Sequence, residues 1–319
     1  MYRRILVPLD GSAFAEAAIP LAERTAGACG AELHLVRVHP VRAQPSPPPT
    51  GAGDRLREDE DDRLWEDERG YLSRLRASLM ARGLAETRIT VLKGEVADTL
   101  LTYARFQSID LIVLATHGRG GLERAFQGSV ADELVRRART PVLLERIAEG
   151  AAGSEAVGCF DRILIPLDGS RLAEEAIRPA LALGRPFRAQ YTLLQVVRSV
   201  TVLASLPEPP RADRRLLAQF AMEARQYVEE VASGLRREDL SVSTRVEVGD
   251  EPAEAIARVA AEERAVVAMA THGRSGLSRL VMGSVADAVL RRATPPLLLF
   301  RPRERRPAAY DTAFYPLAL

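Results

Sequence analysis

The chain has 319 residues, room for two domains of ordinary size, each with its own core. Its 44 basic residues against 43 acidic ones leave a net charge of +1, and aromatics make up only 5%, so no electrostatic footprint for DNA or RNA stands out. Two cysteines in different halves and four histidines without ligand spacing argue against both a disulfide framework and a zinc site.

Met1-Tyr-Arg-Arg4 leads straight into a strand, unlike a secretory leader. Apolar runs stay well below the ~18 residues of a membrane span, and the expected location is the cytoplasm. Ile5–Leu9 reads as a buried strand ended by Asp10-Gly-Ser12. Apolar residues at helical spacing (Ala18, Leu21, Ala22, Thr25) predict a helix over 16–29, and Leu33–Val38 predicts a second strand. Pro45-Ser-Pro-Pro-Pro49 marks an irregular segment over 40–53, a passive linker in preference to a lid. Leu64, Tyr71, Leu72, Leu75 and Leu79 line one face of a long charged helix predicted over 56–82. Its acidic run, residues 58–62, suits the solvated start of a helix. Strands follow at 88–92, 111–115 and 141–146, with helices at 96–106 and 129–139. The second half repeats the order, with strands predicted at 163–167, 191–197, 243–248, 266–270 and 296–301. Strands alternating with helices imply parallel sheets joined by right-handed crossovers and covered on both faces.

The halves are copies of one another. Residues 115–144 match 270–299 at 19 of 30 positions without a gap, and Ile5–Ser12 matches Ile163–Ser170 at 7 of 8. The offsets are 155 and 158, so one unit of about 150 residues is duplicated with its glycine loops kept. Both loops fall at the carboxyl ends of strands, where open parallel sheets bind ligands. Gly118 is followed at Gly-x9-Gly-Ser spacing by Gly128 and Ser129, which open a helix; the second copy has Gly273, Gly283 and Ser284. A glycine admits close backbone approach, Ser129 is a suitable N-cap, and the free N–H groups of the first turn suit a phosphate. Turn geometry alone does not require that Thr116-His117-Gly118-Arg119 and Thr271-His272-Gly273-Arg274 also match, while the first helices and middle regions have diverged.

These residues resemble the universal stress protein family in its tandem form, over about residues 2–147 and 160–302. Its nucleotide-binding branch carries Gly-x2-Gly-x9-Gly-(Ser/Thr); here the first glycine is Ala115 or Ala270, and an alanine adds one methyl and gives up easy access to positive φ. The resemblance implies an α/β fold of two tandem, open, parallel five-stranded sandwich domains, Rossmann-like and similar to the adenine nucleotide alpha hydrolases. Domain one is 1–147, a linker 148–159, domain two 160–302 and a polar tail 303–319. The resemblance implies ATP (or AMP or ADP) in each half, with Mg2+ or Mn2+ held through the phosphates. Asp10 and Asp168 would sit beside the adenosine, with Pro8 and Pro166 shaping the turn and Leu9, Gly11, Ser12, Leu167, Gly169 and Ser170 completing it. Val38 and Val196 would pack on the adenine. Ser129 and Ser284 would hold phosphates beside Val130 and Val285, with Ala115 to Arg119 and Ala270 to Arg274 forming the opposite loops. The terminal strands of the two halves would pair antiparallel as a pseudo-dimer within the chain, and chains would associate further as homo-oligomers. The expected role is regulation or signalling in a stress response with little or no catalysis; a nucleotide-free interaction module and a slow ATPase are the alternatives.

Several residues keep a second reading. Asp10 could cap the first helix. His117 and His272 could act as bases, although a turn role bonded to backbone is the preferred reading. Arg119 and Arg274 could meet phosphate or solvent. His34 and His39, found in one half only, read as structural or surface residues. Lys93, the one lysine, stands outside any Gly-x4-Gly-Lys-(Ser/Thr) motif. The sequence has no Gly-x-Ser-x-Gly nucleophile, and its Gly-rich loop opens a helix ten residues too late for a dinucleotide fingerprint.

Overall fold

Ile5, Leu6 and Val7, fully buried, form the centre of strand β1 (Arg4–Pro8). The computed structural model describes residues 1–40, 52–84, 86–117, 130–147, 160–198, 211–273, 282–293 and 296–302. The helix expected over 16–29 is two helices, α1 (Ala13–Glu16) and α2 (Ile19–Cys29). A continuous helix would need an N–H at Pro20 to reach the Glu16 carbonyl, and proline has none. Gly30, at φ +63, closes α2 in the left-handed conformation that a glycine adopts without strain. Next come β2 (Glu32–Pro40), α3 (Ala52–Ala81), β3 (Thr87–Gly94), α4 (Val96–Phe106), β4 (Leu111–His117), α5 (Val130–Arg137) and β5 (Val142–Ile147).

The second half repeats these steps: β6 (Arg162–Leu167), α6 (Arg171–Glu174), α7 (Ile177–Gly184), β7 (Gln190–Val197), α8 (Arg211–Arg236), β8 (Val242–Val248), α9 (Pro252–Glu263), β9 (Val266–Ala270), α10 (Ser284–Arg292) and β10 (Leu297–Phe300). A short 3-10 turn, Arg185–Phe187, follows α7. The break inside the first helical stretch is copied as well, with Pro179, one position beyond the counterpart of Pro20, unable to donate to the Glu175 carbonyl. The proline-rich segment over 41–51, the linker over 148–159 and the tail from 303 lie outside the described residues, as do the side chains of the acidic run.

Ten strands form one sheet in the order β3-β2-β1-β4-β5-β10-β9-β6-β7-β8. Within each half every pairing is parallel, and β5 meets β10 antiparallel with Leu144 opposite Leu297, Leu143 opposite Leu298 and Val142 opposite Leu299. The two five-stranded units are therefore fused about a pseudo-twofold axis through this seam, as expected for the terminal strands. Each face of the sheet carries one apolar layer that runs through both halves. On one face Leu33, Leu35, Leu72, Leu79, Leu183 and Val228 pack together; on the other Leu100, Leu134, Ile256, Val259 and Val289 do so. Complete burial of each such side chain is worth about 1.5–3 kcal/mol. Across the halves the Tyr2 hydroxyl donates to the Pro179 carbonyl (3.0 Å), and Arg24 lies over the stacked rings of Phe160 and Phe187.

One buried titratable group belongs to this core and not to the ligand end. His34, 1% exposed, has Nδ1 2.8 Å from the Tyr103 hydroxyl, which is 3.1 Å from Thr90 Oγ1, and its Nε2 is 3.3 Å from Glu32. Burial pushes its pKa below the usual histidine value, against the upward pull of Glu32. The folded chain then takes up this proton later than the unfolded chain, so stability is full above the ordinary histidine range and falls as pH drops through it. The second copy has Thr192 at this position. Urea unfolding should show a lower midpoint at pH 5.5 than at pH 7.5, and His34→Thr should flatten that difference.

Candidate functional site

The order of strands reverses between β1 and β4, and again between β6 and β9. At such a point neighbouring crossovers leave in opposite directions, opening a crevice at the carboxyl ends of the strands. Asp10-Gly-Ser12 follows β1 and the Thr116-His117 segment ends β4, so these two segments of the first half lie at its crevice. Asp168-Gly-Ser170 and Thr271-His272-Gly273 do the same in the second half.

The aspartate turns are built identically. Asp10 Oδ1 accepts from the Ser12 N–H (2.9 Å) and hydroxyl (2.6 Å), and Ser12 Oγ accepts from the Ala15 N–H at 3.1 Å. In the copy, Asp168 Oδ1 accepts from Ser170 at 3.0 and 2.6 Å, and Ser170 Oγ accepts from the Ala173 N–H at 3.2 Å. The serine, not the aspartate, is thus the N-cap of each first helix. One carboxylate oxygen fixes that serine. Gly11 and Gly169 hold φ of +83 and +82, a left-handed turn that sterically favours glycine.

The second half also shows how the other loop closes on this turn. A β-carbon on Gly273 would lie 2.2 Å from Asp168 Oδ2, so the missing side chain is what lets the loop rest against the carboxylate. The Gly283 N–H donates to the Thr271 carbonyl at 2.8 Å, and a β-carbon on Gly283 would lie 3.2 Å from that oxygen. Gly283 is the N-cap of α10 and Ser284 its first helical residue, so no side-chain oxygen caps this end. Ser129, for which a capping role is expected, lies outside the described residues. The N–H groups of Ser284, Val285 and Ala286 have no intrahelical acceptor. His272 Nδ1 lies 3.0 Å from Thr271 Oγ1, while its Nε2 is buried and has no hydrogen-bond partner among the described residues.

Pro8, Leu9, Ala115 and Thr116 of the first half and Pro166, Leu167, Ala270 and Thr271 of the second hold strand ends around these crevices. Val130 opens α5, and Val285 lies in the first turn of α10. Val38 and Val196 stand near the ends of β2 and β7 and pack toward the α4 and α9 side of the sheet. Gly118, Arg119, Gly128, Ser129, Arg274 and the His117 side chain lie outside the described residues.

The halves differ in one cluster that the sequence did not signal. Arg37 bonds Glu68 (3.0 Å), lies over the Tyr71 ring and reaches within 2.4 Å of where a Gly11 β-carbon would stand. His39 Nδ1 also reaches Glu68, at 3.3 Å. Counting from the paired strands, the second copy has Gln195 for Arg37 and Val197 for His39. Both copies keep a tyrosine of the long helix bonded to a glutamate of the first helix, Tyr71 to Glu16 (2.9 Å) and Tyr227 to Glu174 (2.8 Å). Burial and the Glu16 bond push the Tyr71 pKa well up, so this hydroxyl stays a donor.

The model of the universal stress protein family matches residues 1–146 and 160–301. A universal stress protein of Mycobacterium tuberculosis is 33% identical over 194 residues, 60% of this chain, and the chain spans 62% of that relative's length. One of Mycolicibacterium smegmatis is 27% identical over 310 residues, covering 94% of this chain and 97% of the relative. Among solved structures, a universal stress protein from Archaeoglobus fulgidus aligns with a TM-score of 0.63 at 18% identity, over 94% of this chain and 97% of that one. That last likeness is one of fold.

Gly273→Ala should force the Asp168 carboxylate aside and loosen its hold on Ser170. A loss of about 1 kcal/mol, the worth of one hydrogen bond, is expected in urea unfolding, together with faster amide exchange at Ser170.

Proposed function

We propose that this chain, which belongs to the universal stress protein family in both of its halves, binds an adenine nucleotide at each crevice. It acts through the occupancy of those sites as a regulatory or signalling protein of a stress response. The observation that carries this reading is the second-half crevice, where the Asp168 turn, the Gly273 loop and the uncapped N-terminus of α10 converge. A carboxylate at this crevice is an acceptor suited to polar hydroxyls such as those of ribose. Backbone N–H groups at a helix N-terminus, with the positive end of the helix dipole, favour phosphate. The two glycines supply the space that side chains would fill. ATP, ADP and AMP share these requirements. Mg2+ or Mn2+ would arrive on the phosphates.

Nucleotide affinity should rest on the backbone turns. Gly128→Val with Gly283→Val would put branched side chains where phosphate must approach the N–H groups. Each charge-assisted bond is worth roughly 1.5–3 kcal/mol, so calorimetric titration of ATP should show affinity at least about tenfold weaker than the parent. Affinity within about twofold would favour an interaction module that needs no nucleotide.

Hydrolysis is expected to be slow. Rapid phosphoryl transfer needs a positioned water and cationic stabilisation of the transferred group. A turn role for His117 and His272 is the preferred reading; His272 Nδ1 meets the Thr271 hydroxyl at 3.0 Å. Single-turnover assays should find ATP cleavage far below the ~10 per second typical of enzymes and little changed by His117→Ala with His272→Ala. A fast reaction abolished by those substitutions would make the protein an ATPase.

A further inference from the structure

We propose that each site is held in shape by an arginine of the opposite half: Arg146 positions the ligand helix of the second half, and Arg301 that of the first. The inference rests on reading the α5 and α10 N-termini as phosphate sites. Arg146 stands near the end of β5, and its guanidinium crosses the seam to donate to the carbonyls of Leu290 and, at 3.3 Å, Arg291. Both carbonyls belong to the last turn of α10, where no helical N–H remains to meet them. Residue 295, the helical partner that Arg291 would have had, is a proline without an N–H. Arg301, just beyond β10, donates to the Arg136 carbonyl in the last turn of α5 at 2.7 Å.

The two arginines are 155 residues apart, the offset that relates the glycine loops, so one crossed contact is made twice about the pseudo-twofold axis. A cation at a helix C-terminus also suits the dipole whose other end faces the ligand. Both helices are short, eight residues for α5 and nine for α10. A rod of two turns cannot shift at its C-terminus while its N-terminus stays in place. Arg146 in turn lies beside Thr116, its register partner on β4, one residue from His117 of the first-half loop. A residue that anchors the second site is thereby embedded in the frame of the first, and the occupancy of one site is felt at the other.

The experiment is ATP titration by calorimetry on the full chain, with one site disabled at a time. With Gly128→Val leaving only the second site, Arg146→Met should weaken binding about fivefold. With Gly283→Val leaving only the first, Arg146→Met should change affinity by less than about twofold, and Arg301→Met should show the reverse pattern. Arg146→Lys, which keeps a charged donor, should recover part of the loss. Equal loss at both sites, loss confined to the arginine's own half, or no loss would each overturn the proposal. Hydrogen exchange without ligand supplies an arm that does not depend on nucleotide: Arg146→Met should speed exchange in α10, at Ala293 among others, and spare α5. A parent that binds no ATP would overturn the reading of the sites, and unchanged exchange in α10 would overturn the anchoring itself.

Discussion

The fold depends on the meeting of β5 and β10. Three residue pairs join antiparallel there, and all six side chains are 2% exposed or less. The bonds themselves are few. What makes the seam decisive is that it lets two apolar layers run without interruption across both halves, so that neither half has to close its own core at that edge. A parallel sheet of five strands ending on a bare leucine-rich strand would present unpaired backbone and apolar surface together. With the seam made, the exposed edges are β3 and β8. There Arg245 and Glu247 of β8 join Arg258 and Glu262 of α9 in a charged lattice with bonds of 2.7–3.0 Å, a surface that discourages further strand addition.

The seam also settles where chemistry can occur. Because each half keeps the reversal of strand order, its crevice opens at the same end of the strands. Side chains do the bracing. Asp168 fixes Ser170, Ser170 caps α6, and Tyr227 ties the long helix α8 to Glu174 of α6. In the second half that leaves peptide N–H groups of the first turn of α10 and positions without a β-carbon, Gly273 and Gly283, at the crevice.

Much of this was legible in the sequence because it was written twice. Apolar runs such as Ile5–Leu9 and Val266–Ala270 could only be buried strands, and the repeated glycines marked the ends that matter. The split of the first helix was also readable from Pro20, had its missing donor been weighed against apolar spacing. The N-terminus of α10 was not legible, because serine is a good cap in isolation, whereas here Gly283 takes the cap position and Ser284 is already inside the helix. Arg37 gave no signal: a lone arginine in a strand says nothing of a glutamate 31 positions away. Arg146 and Arg301 did leave one, since the match between halves extends to them past a mismatch at Glu145 and Phe300. What hid their role is that an anchor across a pseudo-twofold axis has no local pattern.

That mismatch has a consequence of its own. Two separate identical subunits would bring the same residue to both sides of their axis, so every change would appear twice and would have to be compatible with itself. Joining the copies on one chain lifts this requirement. Glu145, 1% exposed, and its counterpart Phe300 occupy equivalent places that no true homodimer could fill with different residues. Arg37 and Gln195 have parted in the same way. Fusion thus converts a symmetric pair into two compartments that can drift apart residue by residue while sharing one frame.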